Sequence, residues 1–207
     1  MEDKSWKNAP PEWVTLFIHL LNKTYNPTDG LDIDSLHYLH QYSNHECVVA
    51  QYKEYIICSF RGTARCYDYL SDMLLFLGIF IPFSYRLQRS RDLVRTLRKI
   101  YPEAYILCIG HSLGGTIAEF SHGDYCITYN KGVGLGGIGN IIPKHQLDIR
   151  TEGDCVSILA NTQFHFHDNL WVLPKNKKNK NRHNLKNLSI LKRSKTSSSL
   201  NNFNQID

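Results

Sequence analysis

The stretch Tyr105-Ile106-Leu107-Cys108-Ile109-Gly110-His111-Ser112-Leu113-Gly114-Gly115 decides the fold. Its first five residues form a short apolar-rich run closed by Gly110, which predicts a buried strand. Residues 115–120 have helical character. Between them, Gly110 to Gly114 fit the pattern G-x-S-x-G. A serine at that point sits on a sharp, strained strand-to-helix turn, and small residues two before and two after leave room for the close approach. Such a turn lifts the serine oxygen to the carboxyl edge of the sheet. It also aims the next backbone N–H, that of Leu113, at a developing oxyanion. Ser112 is therefore the candidate nucleophile.

Strands alternating with helices extend outward from this stretch. Upstream, residues 12–23 carry Trp13, Leu16, Phe17, Leu20 and Leu21 at helical spacing behind Pro10 and Pro11. Residues 47–51 and 55–60 read as a hairpin turning near Lys53-Glu54. A helix is predicted over 85–100, followed by Pro102. Two further strands are expected near 132–135 and 155–159. The pattern predicts a single α/β domain with a mixed, mostly parallel central sheet flanked by helices. Residues 1–44 form its N-terminal helical segment, 45–190 its core, and 191–207 a disordered basic and polar tail.

The 207 residues suit one domain, and the composition is that of an ordinary globular protein. The net charge of +5 is unevenly spread. Residues 175–207 hold nine of the 24 Lys and Arg and one acid, a net of +8, so the body is slightly acidic. Residues 175–195 contain no aromatic side chain to stack on bases, which argues against nucleic acid as a partner. The same cluster suits peripheral contact with an anionic membrane surface.

The six cysteines, at 47, 58, 66, 108, 126 and 155, show no zinc-type spacing and read as free thiols. The first residues lack a signal-peptide pattern, and the longest apolar run, 73–83, is about half of a membrane span. A cytoplasmic or other intracellular location is expected, with a virion or host-cell setting left open.

The motif and its surroundings resemble the class 3, or fungal-type, lipases of the α/β-hydrolase superfamily. Ser59-Phe60-Arg61-Gly62-Thr63, followed by Asp68 and Asp72, resembles that family's F-R-G-[ST] element and its acidic stretch. The resemblance implies that Thr63 supplies the second oxyanion-hole donor beside Leu113. It also implies the order Ser, then acid, then His. Asp154, in Gly153-Asp154-Cys155-Val156, resembles the family's Asp-x-Val strand end and becomes the orienting acid, with Asp168 the alternative. His183 opens His183-Asn184-Leu185-Lys186-Asn187-Leu188, as the family's histidine opens a short apolar helix, and becomes the base. His165 and His167 read as packing residues. Arg61 reads as structural, through hydrogen bonds to nearby carbonyls.

The implied activity is that of a serine hydrolase cleaving carboxyl esters of lipids through an acyl-enzyme, an acylglycerol lipase or esterase. Phospholipase A1 or lysophospholipase activity at the same site is an alternative. So is a catalytically inactive relative that binds lipid or protein. No organic cofactor and no metal is called for. Gly134-Leu135-Gly136-Gly137-Ile138-Gly139 satisfies G-x-G-x-x-G, but Pro143 interrupts the helix that a dinucleotide site needs. Gly134, Gly139 and Asn140 instead match a lipase strand-end element.

Overall fold

The structure is a computed structural model that describes residues 11–27, 33–62, 80–132, 145–154, 170–174 and 181–188. Seven strands form one sheet in sequential order. They are β1 (Leu36–Tyr38), β2 (Cys47–Tyr52), β3 (Tyr55–Phe60), β4 (Tyr105–His111), β5 (Tyr125–Tyr129), β6 (Gln146–Thr151) and β7 (Leu170–Leu173). The first three are antiparallel, and β3 to β7 run parallel. The carboxyl ends of β3, β4, β5 and β6 therefore lie along one edge. Gly62, Ser112, Asn130 and Asp154 each follow one of them within three residues.

Period-two alternation sorts the side chains between two apolar layers. On β4, Leu107 and Ile109 face the layer of α1 (Pro11–Tyr25), while Ile106 and Cys108 face that of α2 (Phe80–Ile100) and α3 (Leu113–Phe120). Leu16, Phe17, Leu20 and Leu21 bury the α1 stripe that the spacing predicted. Val94 and Leu97 do the same for α2, and Ile117 and Ala118 for α3. Each of the buried Leu, Ile, Val and Phe side chains contributes roughly 1.5–3 kcal/mol by leaving water. Cys58, Cys108 and Cys126 lie side by side on the α2 face, paired in register across β3, β4 and β5.

The α/β architecture matches the expectation, but β1, β5, β6 and β7 stand where no strand was expected, β1 within the segment 1–44 that was read as helical. The fifth, β5, is buried at every position and shows no alternation, so it resembles a continuation of the preceding apolar stretch. The sixth, β6, buries Asp148, a residue that depresses any strand assignment until its partner is known. Gly132 lies in the loop after β5; residues 133–135 and the strand expected at 155–159 fall outside the described residues.

Candidate active site

β4 delivers Ser112 directly into α3. Its backbone stands at φ 58° and ψ −130°, a conformation that non-glycine residues adopt only when their surroundings enforce it. The enforcement is visible. The Ser112 N–H donates to the Tyr129 carbonyl at 3.1 Å, and its carbonyl accepts from the Gly115, Thr116 and Gly132 amides at 2.9, 3.3 and 3.1 Å. A Cβ at Gly110 would collide with the Gly114 carbonyl, and one at Gly114 with the backbone of Phe60 to Gly62. The two small residues of the motif thus let strand, helix and the β3 loop touch. The Ser112 side chain does not cap α3. Leu113 opens that helix, so its N–H has no intrahelical acceptor and carries the positive end of the helix dipole.

Asp154 reaches the same edge through the turn after β6, where its N–H donates to Thr151 at 3.0 Å. His183 approaches from the far end of the chain. Its Nδ1 lies 3.1 and 3.0 Å from the two Asp154 carboxylate oxygens, and both residues are buried. A carboxylate accepts only, so Nδ1 carries the proton and Nε2 presents a lone pair. The turn after His183 is a 3-10 helix, Leu185–Leu188, anchored by buried Leu188.

His111 joins these groups, although in the sequence it is only the variable position of the motif and carries no assigned role. Its Nε2 donates to the His183 carbonyl at 2.8 Å, and its ring lies 4.7 Å from the His183 ring. With Nε2 protonated, Nδ1 must accept, and its partner at 3.0 Å is the Tyr25 hydroxyl. That hydroxyl accepts in turn from the Gly62 N–H at 2.9 Å. The last residue of α1, the loop after β3, the elbow and the His183 segment are one hydrogen-bonded chain. Burial, followed by the neighbouring His183, lowers the His111 pKa to about 3, so the imidazole stays neutral.

A buried ion cluster underlies the elbow helix. Lys131 Nζ lies 2.6 Å from Asp148 and 3.2 Å from Glu119, and Thr128 and Gln146 donate to the other Asp148 oxygen. Burial alone would depress the Lys131 pKa, but the two carboxylates outweigh it and raise the value. A single Lys after an apolar run and an Asp in an apolar strand were the signals that could have found this pair. Their proximity requires the sheet.

Ser112, Leu113, Asp154 and His183 thus converge on one edge. Thr63, the other oxyanion donor expected, lies outside the described residues, as do Asp68, Asp72, His165, His167 and Asp168. Gly62, which precedes Thr63, is in place: a Cβ there would stand 3.2 Å from that of Ser112. The Arg61 guanidinium sits 5.6 Å over the Tyr25 ring, and it is the Arg61 carbonyl that accepts, from Arg86 at 2.6 Å.

The same arrangement of strands and helices occurs in solved lipases. A triacylglycerol lipase described as having a serine protease triad at its catalytic centre aligns with a TM-score of 0.58 and 16% identity, over 81% of each chain. A fungal lipase bound to an inhibitor aligns with a TM-score of 0.55 and 18% identity, over 81% of this chain and 82% of that one. The chain has the fold of the fungal lipases. The Rhizomucor miehei lipase in complex with its propeptide shares this lipase fold, at a TM-score of 0.54 and 16% identity over 78% of this chain and 68% of that one. No protein-family model and no curated protein matches the sequence. Within its lipase fold, the described residues include no helix long and apolar enough to cross a membrane.

Proposed function

We propose that the protein is a serine hydrolase that cleaves carboxyl esters of lipids. Ser112 Oγ attacks the ester carbonyl while His183 Nε2 takes its proton. Asp154 holds the imidazole in the Nδ1–H form and stabilises the imidazolium. The Leu113 N–H, with Thr63 as its partner, receives the oxyanion. The tetrahedral intermediate collapses as His183 returns the proton to the leaving alcohol. Water then repeats the sequence on the acyl-enzyme.

The observation that carries this reading is the strained, enforced backbone of Ser112 at the strand edge that also bears the Asp154–His183 pair. Positive φ alone does not mark a nucleophile, since Ser35 in a plain turn stands at φ 66°; Ser112 couples it to ψ −130°, outside the left-handed helical well, at a strand-to-helix elbow, as a nucleophile lifted from the sheet does. The lipase fold supports a lipid ester as substrate. Contact of the basic segment 175–195 with an anionic membrane surface belongs to the same proposal; of that segment only residues 181–188 are described.

A fluorophosphonate probe tests the reading. Covalent labelling of Ser112 in the wild-type chain, abolished by Ser112→Ala, is the expected result. A panel of acylglycerol, phospholipid and lysophospholipid esters then assigns the substrate. Absence of labelling together with absence of hydrolysis across the panel would make the protein a non-catalytic binder.

A further inference from the structure

Four consecutive carbonyls flank and include His183, and each accepts from a buried side chain. Asn187 Nδ2 donates to Asn181 at 3.1 Å and to Arg182 at 2.9 Å. Asn130 Nδ2 also donates to Arg182, at 3.1 Å. His111 donates to His183 at 2.8 Å, and the Tyr129 hydroxyl to Asn184 at 3.3 Å. Asn130, Asn187 and Tyr129 are wholly inaccessible, and His111 nearly so. The segment's own turns, Asn184 N–H to the Asn181 carbonyl at 3.3 Å and Asn187 N–H to the Asn184 carbonyl at 3.0 Å, are thus supplemented by donors from the ends of β4 and β5.

Asn130 is the singular member. It follows β5 in the left-handed region, φ 43°, which asparagine tolerates better than most residues. Its N–H donates to the Ile149 carbonyl at 2.8 Å, and its Oδ1 accepts from the Thr151 N–H at 2.7 Å. Thr151 in turn fixes Asp154 through its carbonyl. One side chain therefore bonds both to the strand end that carries Asp154 and to the residue preceding His183.

We propose that Asn130, seconded by Asn187, is a positioning residue that sets the geometry of the Asp154–His183 pair. The inference rests on the reading of His183 as the general base. Asn130 contacts neither substrate nor reacting atom; it acts by holding the imidazole where its lone pair is useful. Displacement of a catalytic group by about 1 Å can lower a rate by about 100-fold. The Arg182 carbonyl has two donors, so loss of one leaves the other. Single substitutions are expected to be milder than their combination, beyond additivity.

The test uses the full chain, with Asn130→Gly, Asn187→Ala and the double variant. Glycine keeps the left-handed backbone and removes only the side-chain bonds. In histidine labelled with nitrogen-15, the Nδ1 proton of His183 gives a downfield signal, assigned by its loss in Asp154→Asn. We expect that signal to shift or broaden in Asn130→Gly and to vanish in the double variant, while circular dichroism stays native. With a chromogenic ester, kcat should fall about tenfold in Asn130→Gly and about 100-fold in the double variant, with KM unchanged. A purely structural role would lower the melting temperature and leave kcat and the imidazole signal alone, which overturns the proposal. If Asn130→Gly does not fold, Asn187→Ala carries the same two readouts. Full activity in His183→Ala would sink the catalytic reading by itself, while the imidazole signal still reports whether Asn130 positions the pair.

Discussion

His111 donates through Nε2 to the carbonyl oxygen of His183 across 2.8 Å, although 72 positions separate them in the chain. The residue preceding the proposed nucleophile thus grips the backbone of the proposed base. A shift of either segment moves both. The same imidazole accepts from Tyr25, whose hydroxyl takes the Gly62 amide, so the loop leading to Thr63 is tied to the pair as well.

His111 should make the protein acid-sensitive. Its folded pKa of about 3 lies below the ordinary histidine value near 6.5. Between those values the unfolded chain binds a proton that the folded chain refuses. Stability is therefore full above about pH 6.5 and declines as pH falls toward 3, by up to about 1.4 kcal/mol per pH unit from this group. Urea unfolding of the wild type and of His111→Gln at pH 7 and pH 4.5 checks this. The variant should be the less stable at pH 7 and should lose less on acidification. Parallel losses in the two proteins would refute the assignment.

Ser112→Ala and His183→Ala should each lower kcat on a chromogenic ester by about a million-fold, and Asp154→Asn by about ten thousand-fold, with additivity failing among them. Far-ultraviolet circular dichroism should remain native in Ser112→Ala. A His183→Ala protein that still turns over at the wild-type rate would remove His183 from the mechanism.

Lys131→Met should destabilise the fold by about 3–5 kcal/mol, because it strands two buried carboxylates. Adding Glu119→Gln and Asp148→Asn should recover part of the loss. The raised Lys131 pKa has its own signature. Its contribution is held below the ordinary lysine value near 10.4 and is lost as pH climbs through the folded value. Denaturant midpoints at pH 8 and pH 11 measure both effects; an unchanged midpoint in Lys131→Met at pH 8 would dismiss the cluster.

Cys47, Cys58, Cys108 and Cys126 are free and buried. The bond with Cys108 pulls the Cys58 pKa down, but the bond with Cys47 and burial outweigh it and hold the thiol well above the ordinary range; Cys108, bonded to Cys58, and Cys126, by burial, are raised too. Thiols that stay protonated and inaccessible react slowly. Iodoacetamide at pH 8 followed by peptide mapping should leave these four unmodified until denaturant is added. Rapid native alkylation of Cys58 or Cys108 would contradict the layer described above.

What was legible without coordinates is local in the chain. The strand, the glycines and the serine lie within the eleven residues from 105 to 115, so their spacing alone predicts the elbow. The α1 stripe is legible for the same reason: helical periodicity is a short-range property. Resemblance to a family added Asp154 and His183, and the pair does meet.

Other features depend on which segments the sheet lays side by side. β5 hides in the sequence because a strand covered on both faces has no alternation to read. β6 hides because Asp148 looks unsuited to a core until Lys131 arrives from the preceding strand end. Asn130 and Arg182 are 52 positions apart, and Tyr25 and His111 are 86. No periodicity spans such distances. The sequence by itself determined that a serine would be lifted on a strained turn, because sterics between near neighbours require it. Only the tertiary structure decided which buried donors hold the histidine segment to it. Those hydrogen bonds exist only where the folded strands bring distant residues within about 3 Å.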